Sequence, residues 1–90
     1  VFAKIKNAMI RVVEDKEGTG ARAKVDFVRA ALKTGTSGNA KLGLDAILSG
    51  FFPAEKPQYA FGFRLQGVGK AEVKGAMFLK DFLISFYGRR

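Results

Sequence analysis

Ninety residues with sixteen Lys/Arg, eight Asp/Glu, no Cys and no His exclude a disulfide framework, a Cys/His zinc site and any histidine-based triad. A net charge of +8 and an apolar fraction of 48%, with nine Phe, describe one small basic domain built to fold rather than to stay disordered. No apolar run approaches the roughly 20 residues that span a bilayer, and the chain opens on Val1 rather than Met, so a piece of a longer protein is expected.

The first predicted element is a helix over Val1–Val13, where Phe2, Ile5, Met9 and Val12 fall at helical spacing between Lys4, Lys6, Asn7 and Arg11. Glu14–Lys24, "EDKEGTGARAK", interrupts the pattern with charge and glycine and reads as a loop. Val25–Leu32 is strand-like and ends at Lys33; Ser37–Gly43, "SGNAKLG", reads as a turn. Leu44–Phe52 is a second strand closed by Pro53, and Pro53–Pro57 is a short connection. Gln58–Gln66 alternates Tyr59, Phe61, Phe63 and Leu65 with Ala60, Gly62, Arg64 and Gln66, the period of a strand. Ala71–Tyr87 is a helix with one narrow polar stripe, Lys70, Lys74, Asp81 and Ser85, and with Gly88 placed to end it.

Helix, three consecutive strands and helix predict an α+β fold: an antiparallel meander with a helix before and after it. The third strand carries aromatics on one face and small residues on the other, as a strand covered on both sides would. In a three-stranded meander it would be an edge, and a long apolar edge calls for a partner. The C-terminal helix, apolar over most of its circumference, raises the same demand; Val73, Met77, Leu79, Leu83 and Phe86 are expected against the sheet. The basic residues are spread along the chain, and only Arg89–Arg90 cluster. No RNP1 pattern, GXXG loop or zinc finger occurs, so a generally cationic surface is expected and no nucleic-acid partner.

"ALKTGTSGN", Ala31–Asn39, is the stretch that a solvated turn explains least well. From average residue usage, roughly one random chain of this length in a thousand contains Lys-Thr-Gly-Thr. Its chemistry suits an anionic ligand: Lys33 brings a positive charge, Thr34 and Thr36 bring short stiff hydroxyls, and Gly35 leaves the backbone open to close approach. Lys-Thr-Gly before a meander and a closing helix resembles the third signature of the serine penicillin-recognising enzymes. The chain is similar to the C-terminal part of a penicillin-binding protein transpeptidase domain, over nearly its whole length. Ala8–Ala23, "AMIRVVEDKEGTGARA", resembles the family's helix and Gly-Thr-Gly approach, about fifteen residues before the Lys-Thr-Gly strand. Leu44–Gly67 resembles the next two strands. Leu32 stands where a Gly commonly precedes the Lys, and Ile47–Leu48 where an aromatic pair often follows the Asp.

The resemblance implies that residues 1–90 are the last segment of one transpeptidase domain, within a larger five-stranded α/β sheet. Lys33 and Thr36 are then expected to be catalytic, and Thr34, Gly35, Thr36 and Ser37 to bind substrate. In the family, the Lys matching Lys33 bonds the serine of Ser-x-Asn and keeps the cleft positive. The hydroxyls matching Thr34 and Thr36 hold the terminal D-alanine or β-lactam carboxylate, and the backbone N–H matching Thr36 is an oxyanion-hole donor. The implied activity is D,D-transpeptidation of peptidoglycan by serine acyl transfer, at the outer face of the bacterial cytoplasmic membrane. No cofactor or metal is expected. The implied partners are the peptidoglycan stem peptide, β-lactams, and the N-terminal part of the domain, in the same chain or a separate one. That part carries the nucleophile, because Ser-x-x-Lys does not occur here, and Ser37-Gly38-Asn39 matches Ser-x-Asn by accident of position. Its first strand is expected to pair with Tyr59–Leu65. A β-lactamase or penicillin-sensing domain of the same fold and a non-enzymatic basic binding module are the alternatives; deacylation rate separates the first two from a transpeptidase.

Overall fold

The computed structural model describes residues 2–39, 41 and 43–88. Val1 of the predicted first helix, Ala40 and Leu42 of the predicted turn, and the Arg89–Arg90 pair lie outside the described residues. The elements are α1 (Phe2–Glu14), β1 (Ala31–Asn39), β2 (Gly43–Phe52), β3 (Tyr59–Leu65) and α2 (Ala76–Phe86). A 3₁₀ turn at Ala21–Ala23 precedes the sheet, and a π-helical turn at Ala71–Gly75 leads into α2. The strands form one antiparallel sheet in the order β1-β2-β3. The class is α+β, with the meander and flanking helices that the sequence predicts.

One face of the sheet is the core. Residues paired across antiparallel strands point the same way, so Leu32, Leu48, Phe52, Phe61 and Phe63 share that face. Leu32, Leu48 and Phe52 are fully buried there with Leu79 and Leu83 of α2. The opposite face carries Lys33, Ser49 and Arg64, all exposed. α1 lies beside the start of β1, where Val13 joins the cluster of Leu32 while Ile10 packs with Ala31 and Ala54. Neighbours on a strand point to opposite faces, so α1 spans the edge and touches both.

Three expectations need correction. The first strand begins at Ala31, not Val25, and runs through Lys33–Ser37 to Asn39. Pairing with β2 decides this: Ala31 opposes Phe51 and Asn39 opposes Gly43, and the chain leaves the sheet at Pro53. Upstream residues therefore have no strand beside them among the described residues; the Arg29 carbonyl accepts from the Ala54 N–H at 2.8 Å, and its guanidinium donates to Glu55 at 3.0 Å. Val25 and Ala30 reach the core from irregular chain instead. Secondly, α1 is a helix, but Ile10 and Val13 are its buried residues, while Phe2 and Ile5 stand exposed beyond the part of the helix that meets the sheet. Thirdly, Leu79 and Leu83 are buried in α2 as expected, but Val73 is only half-buried, and Met77 and Phe86 are 50% and 41% exposed. Ala76, Leu79 and Leu83 make the stripe that meets β2. Phe78, Phe82 and Phe86, four residues apart, form a second stripe that leans toward β3. Phe63 and Phe78 lie 5.1 Å apart between ring centroids, and Tyr59 and Phe86 5.0 Å.

Candidate functional site

Lys33–Ser37 occupies the middle of β1, an edge strand whose outer side has no strand beside it among the described residues. Period-two alternation places Thr34 and Thr36 toward the core face and Lys33, Gly35 and Ser37 toward the other. The five expected residues are thus consecutive on one strand, but Lys33 and the threonines leave it on opposite sides. The exposed Lys33 folds its ammonium back to donate to the Thr34 backbone carbonyl at 2.6 Å. Thr36 is exposed, and Ser37 is half-buried opposite Asp45. Ser37 lies four residues beyond Lys33, roughly 13 Å along an extended strand. Its hydroxyl is out of reach of the Lys33 ammonium, so Ser37-Gly38-Asn39 cannot act as the lysine's Ser-x-Asn partner.

Gly35 has no packing reason to lack a side chain. A Cβ there would meet only the Ile47 carbonyl oxygen, at an ordinary 3.9 Å. The open space above it is unused by this chain.

Thr34 makes a contact that sequence reading passed over. Its hydroxyl lies 2.8 Å from that of Thr19, fifteen residues earlier in the loop after α1. The flanking glycines make that approach possible. A Cβ on Gly18 would fall 2.2 Å from the Val12 carbonyl oxygen, and one on Gly20 would fall 2.5 Å from a Leu32 methyl. The Gly20 N–H also donates to the Val12 carbonyl at 2.9 Å. Gly-Thr-Gly was the available signal: a threonine between two glycines in a loop marks close backbone approach on both sides. A shallow depression of about 470 Å³ is lined by Thr19 together with Lys16, Glu17 and Arg22 among others.

The far end of the meander is fixed by Asp45, whose carboxylate accepts from Arg64 Nε at 3.0 Å, from a second guanidinium N–H, and from the Gly67 backbone N–H at 2.9 Å. The Arg64 hydrogen bond first, then the Gly67 bond, holds the Asp45 carboxyl below its ordinary 3.8. The folded chain therefore resists protonation there more than the unfolded chain does. The stabilisation is present above the ordinary carboxylate value and is lost as pH falls through the lowered folded one. Asp45→Asn is expected to lower the melting midpoint near neutral pH, and the gap from wild type should close in acid. A gap that stays constant down to strongly acidic pH would show that the carboxylate charge is not what fixes this end.

No group of three His, Cys, Asp or Glu residues able to hold a metal occurs among the described residues, and no described helix is long and apolar enough to cross a membrane.

Residues 1–82 match the profile of the penicillin binding protein transpeptidase domain. Three solved structures share the fold. The D,D-transpeptidase domain of a peptidoglycan glycosyltransferase from Eggerthella lenta is 24% identical with a TM-score of 0.74, over 92% of this chain and 19% of that one. A penicillin-binding protein from Pseudomonas aeruginosa is 23% identical with a TM-score of 0.78, over 90% of this chain and 18% of its own. One from Helicobacter pylori is 25% identical with a TM-score of 0.68, over 91% and 16%. The chain thus spans less than a fifth of each of these structures. No curated protein matches it.

Proposed function

The chain belongs to the penicillin-binding protein transpeptidase family, and on that premise we propose that it is the C-terminal segment of a peptidoglycan D,D-transpeptidase. The observation that carries the reading is Lys33–Ser37 set on an edge strand, with open space over Gly35 that this chain's own packing does not use. An extended peptide can lie along such an edge, and Gly35 lets it approach closely. Thr34 and Thr36 hold the terminal carboxylate of the stem peptide, or that of a β-lactam. Lys33 supplies the positive field and bonds the serine of a Ser-x-Asn segment. The Thr36 N–H, with the nucleophile's own N–H, polarises the scissile carbonyl. The nucleophilic serine attacks that carbonyl, the terminal D-alanine leaves with a proton, and the amine of a second stem peptide then displaces the serine. This places the protein at the outer face of the cytoplasmic membrane.

The serine, its lysine and Ser-x-Asn belong to the N-terminal part of the domain. Two features support such a partner. β3 has only β2 beside it among the described residues, and an open edge is a template for another strand. Alongside it, Phe61, Phe63, Phe78 and Phe82 line an apolar groove of about 290 Å³, which soluble domains rarely leave uncovered. The first strand of the missing part pairs with Tyr59–Leu65, and its helical neighbour covers the groove.

A fluorescent penicillin is expected to label the parent protein covalently and to leave the isolated 90 residues unlabelled. A folded parent that takes up no label would defeat the transpeptidase reading.

A further inference from the structure

We propose that Thr19 is a positioning residue for the Thr34 hydroxyl, and through it for the carboxylate end of the substrate; the inference rests on the transpeptidase reading above. A hydroxyl has one proton to donate and two lone pairs to accept with. A carboxylate only accepts, so Thr34 must direct its single proton at the ligand. The hydrogen bond to Thr19, 2.8 Å between oxygens, must then run from the Thr19 proton to a Thr34 lone pair. That arrangement gives a chain, Thr19 to Thr34 to carboxylate, in which each bond polarises the next.

The backbone holds both ends of the chain. Thr19 is confined by the close approach of Gly18 to Val12 and of Gly20 to Leu32. Thr34 sits on a paired strand opposite Leu48, and its carbonyl accepts the Lys33 ammonium. A threonine side chain is also stiff at its first torsion, so the remaining freedom of Thr34 is mainly the direction of its O–H. The Thr19 proton, held against a Thr34 lone pair, narrows that freedom to the two staggered directions that point away from Thr19. Without it, the Thr34 proton is spread over several directions before the ligand arrives, and binding must order it.

The test uses the full-length parent and a fluorescent penicillin, with the acylation rate constant and the dissociation constant before acylation measured separately. Thr19→Val keeps the shape and removes the hydroxyl. It should lower their ratio by about threefold to tenfold, the factor of an ordinary net hydrogen bond, chiefly through weaker binding and with the melting midpoint retained. Thr19→Ser should restore most of the loss. In a Thr34→Val background, Thr19→Val should have no further effect, because the group it acts through is gone. Thr19→Ala is measured in parallel, so a valine variant that fails to fold leaves the comparison intact. Wild-type kinetics in Thr19→Val, or an equal loss with and without Thr34, would overturn the assignment while the wild type is still acylated. A wild type that is not acylated overturns the transpeptidase reading, and this one with it.

Discussion

Lys33→Ala is expected to lower the second-order rate of acylation of the parent by roughly a hundredfold or more, and Thr36→Val by about tenfold. The difference follows from what each change removes. Hydrogen bonds to a charged group contribute about 1.5–3 kcal/mol, and each 1.4 kcal/mol is a factor of ten in rate. Under the proposed reading Lys33 acts twice, through its charge near the substrate carboxylate and through its bond to the Ser-x-Asn hydroxyl. Alanine removes both and leaves that hydroxyl without its partner. Thr36→Val removes one hydroxyl but keeps the backbone N–H, so the oxyanion donor remains and the loss falls mainly on ligand positioning. Lys33 accepts no burden of packing: it is exposed, and its ammonium donates to the neighbouring Thr34 carbonyl. A stability loss therefore cannot stand in for a chemical one. The measurement is the acylation rate of the parent and both variants with a fluorescent penicillin. Wild-type rates in both folded variants would reduce Lys33–Ser37 to an ordinary strand segment and favour a basic binding module.

The elements with strong periodicity were legible in the sequence. β3 occupies Tyr59–Leu65 inside the predicted Gln58–Gln66, α1 occupies Phe2–Glu14, and α2 fills Ala76–Phe86 of the predicted Ala71–Tyr87, whose first turn is π-helical. β1 was misplaced because its composition works against it. Gly35, Ser37, Gly38 and Asn39 are turn residues by local preference, yet β2 offers a complete partner for them, and pairing overrides propensity. Val25–Ala30 has the composition of a strand but lacks a partner. Helical periodicity found α2 but could not rank its two apolar stripes, since which one meets the sheet depends on how the chain arrives from the π-helical turn. At the site, the residue types of Lys33–Ser37 were legible but their faces were not, because the motif was read as a strand end. Thr19 was missed as a functional residue because a hydrogen bond between a loop and a strand fifteen residues apart leaves no local period. Gly-Thr-Gly was visible as a motif, but not the strand residue that its threonine meets.

The two stripes of α2 lead to the other large effect, in the parent protein. Leu83→Ala is expected to cost about 2–5 kcal/mol, as for a buried leucine in a site that cannot collapse, because Leu83 is fully enclosed with Leu48, Phe52 and Leu79. Phe82, one residue earlier, is 43% exposed in this chain. It rests on Phe52 at 6.4 Å and on Phe86 at 5.6 Å between ring centroids, and its outer side lines the groove beside β3. If that side stayed in water, Phe82→Asp would forfeit one or two aromatic contacts, about 0.5–1.5 kcal/mol each. If the N-terminal part of the domain covers the groove, the same change buries a carboxylate among Phe61, Phe63 and Phe78, with no cation among the groove's described lining residues. Its cost then rises to several kcal/mol, comparable to that of Leu83→Ala. Denaturant unfolding of the parent and the two variants decides between these outcomes. Parallel losses mean that both stripes of α2 are interior in the whole domain. A Phe82→Asp parent that loses no more than those one or two contacts, about 3 kcal/mol at most, and clearly less than Leu83→Ala, would leave the aromatic face open to solvent and remove one of the two supports for a covering N-terminal part.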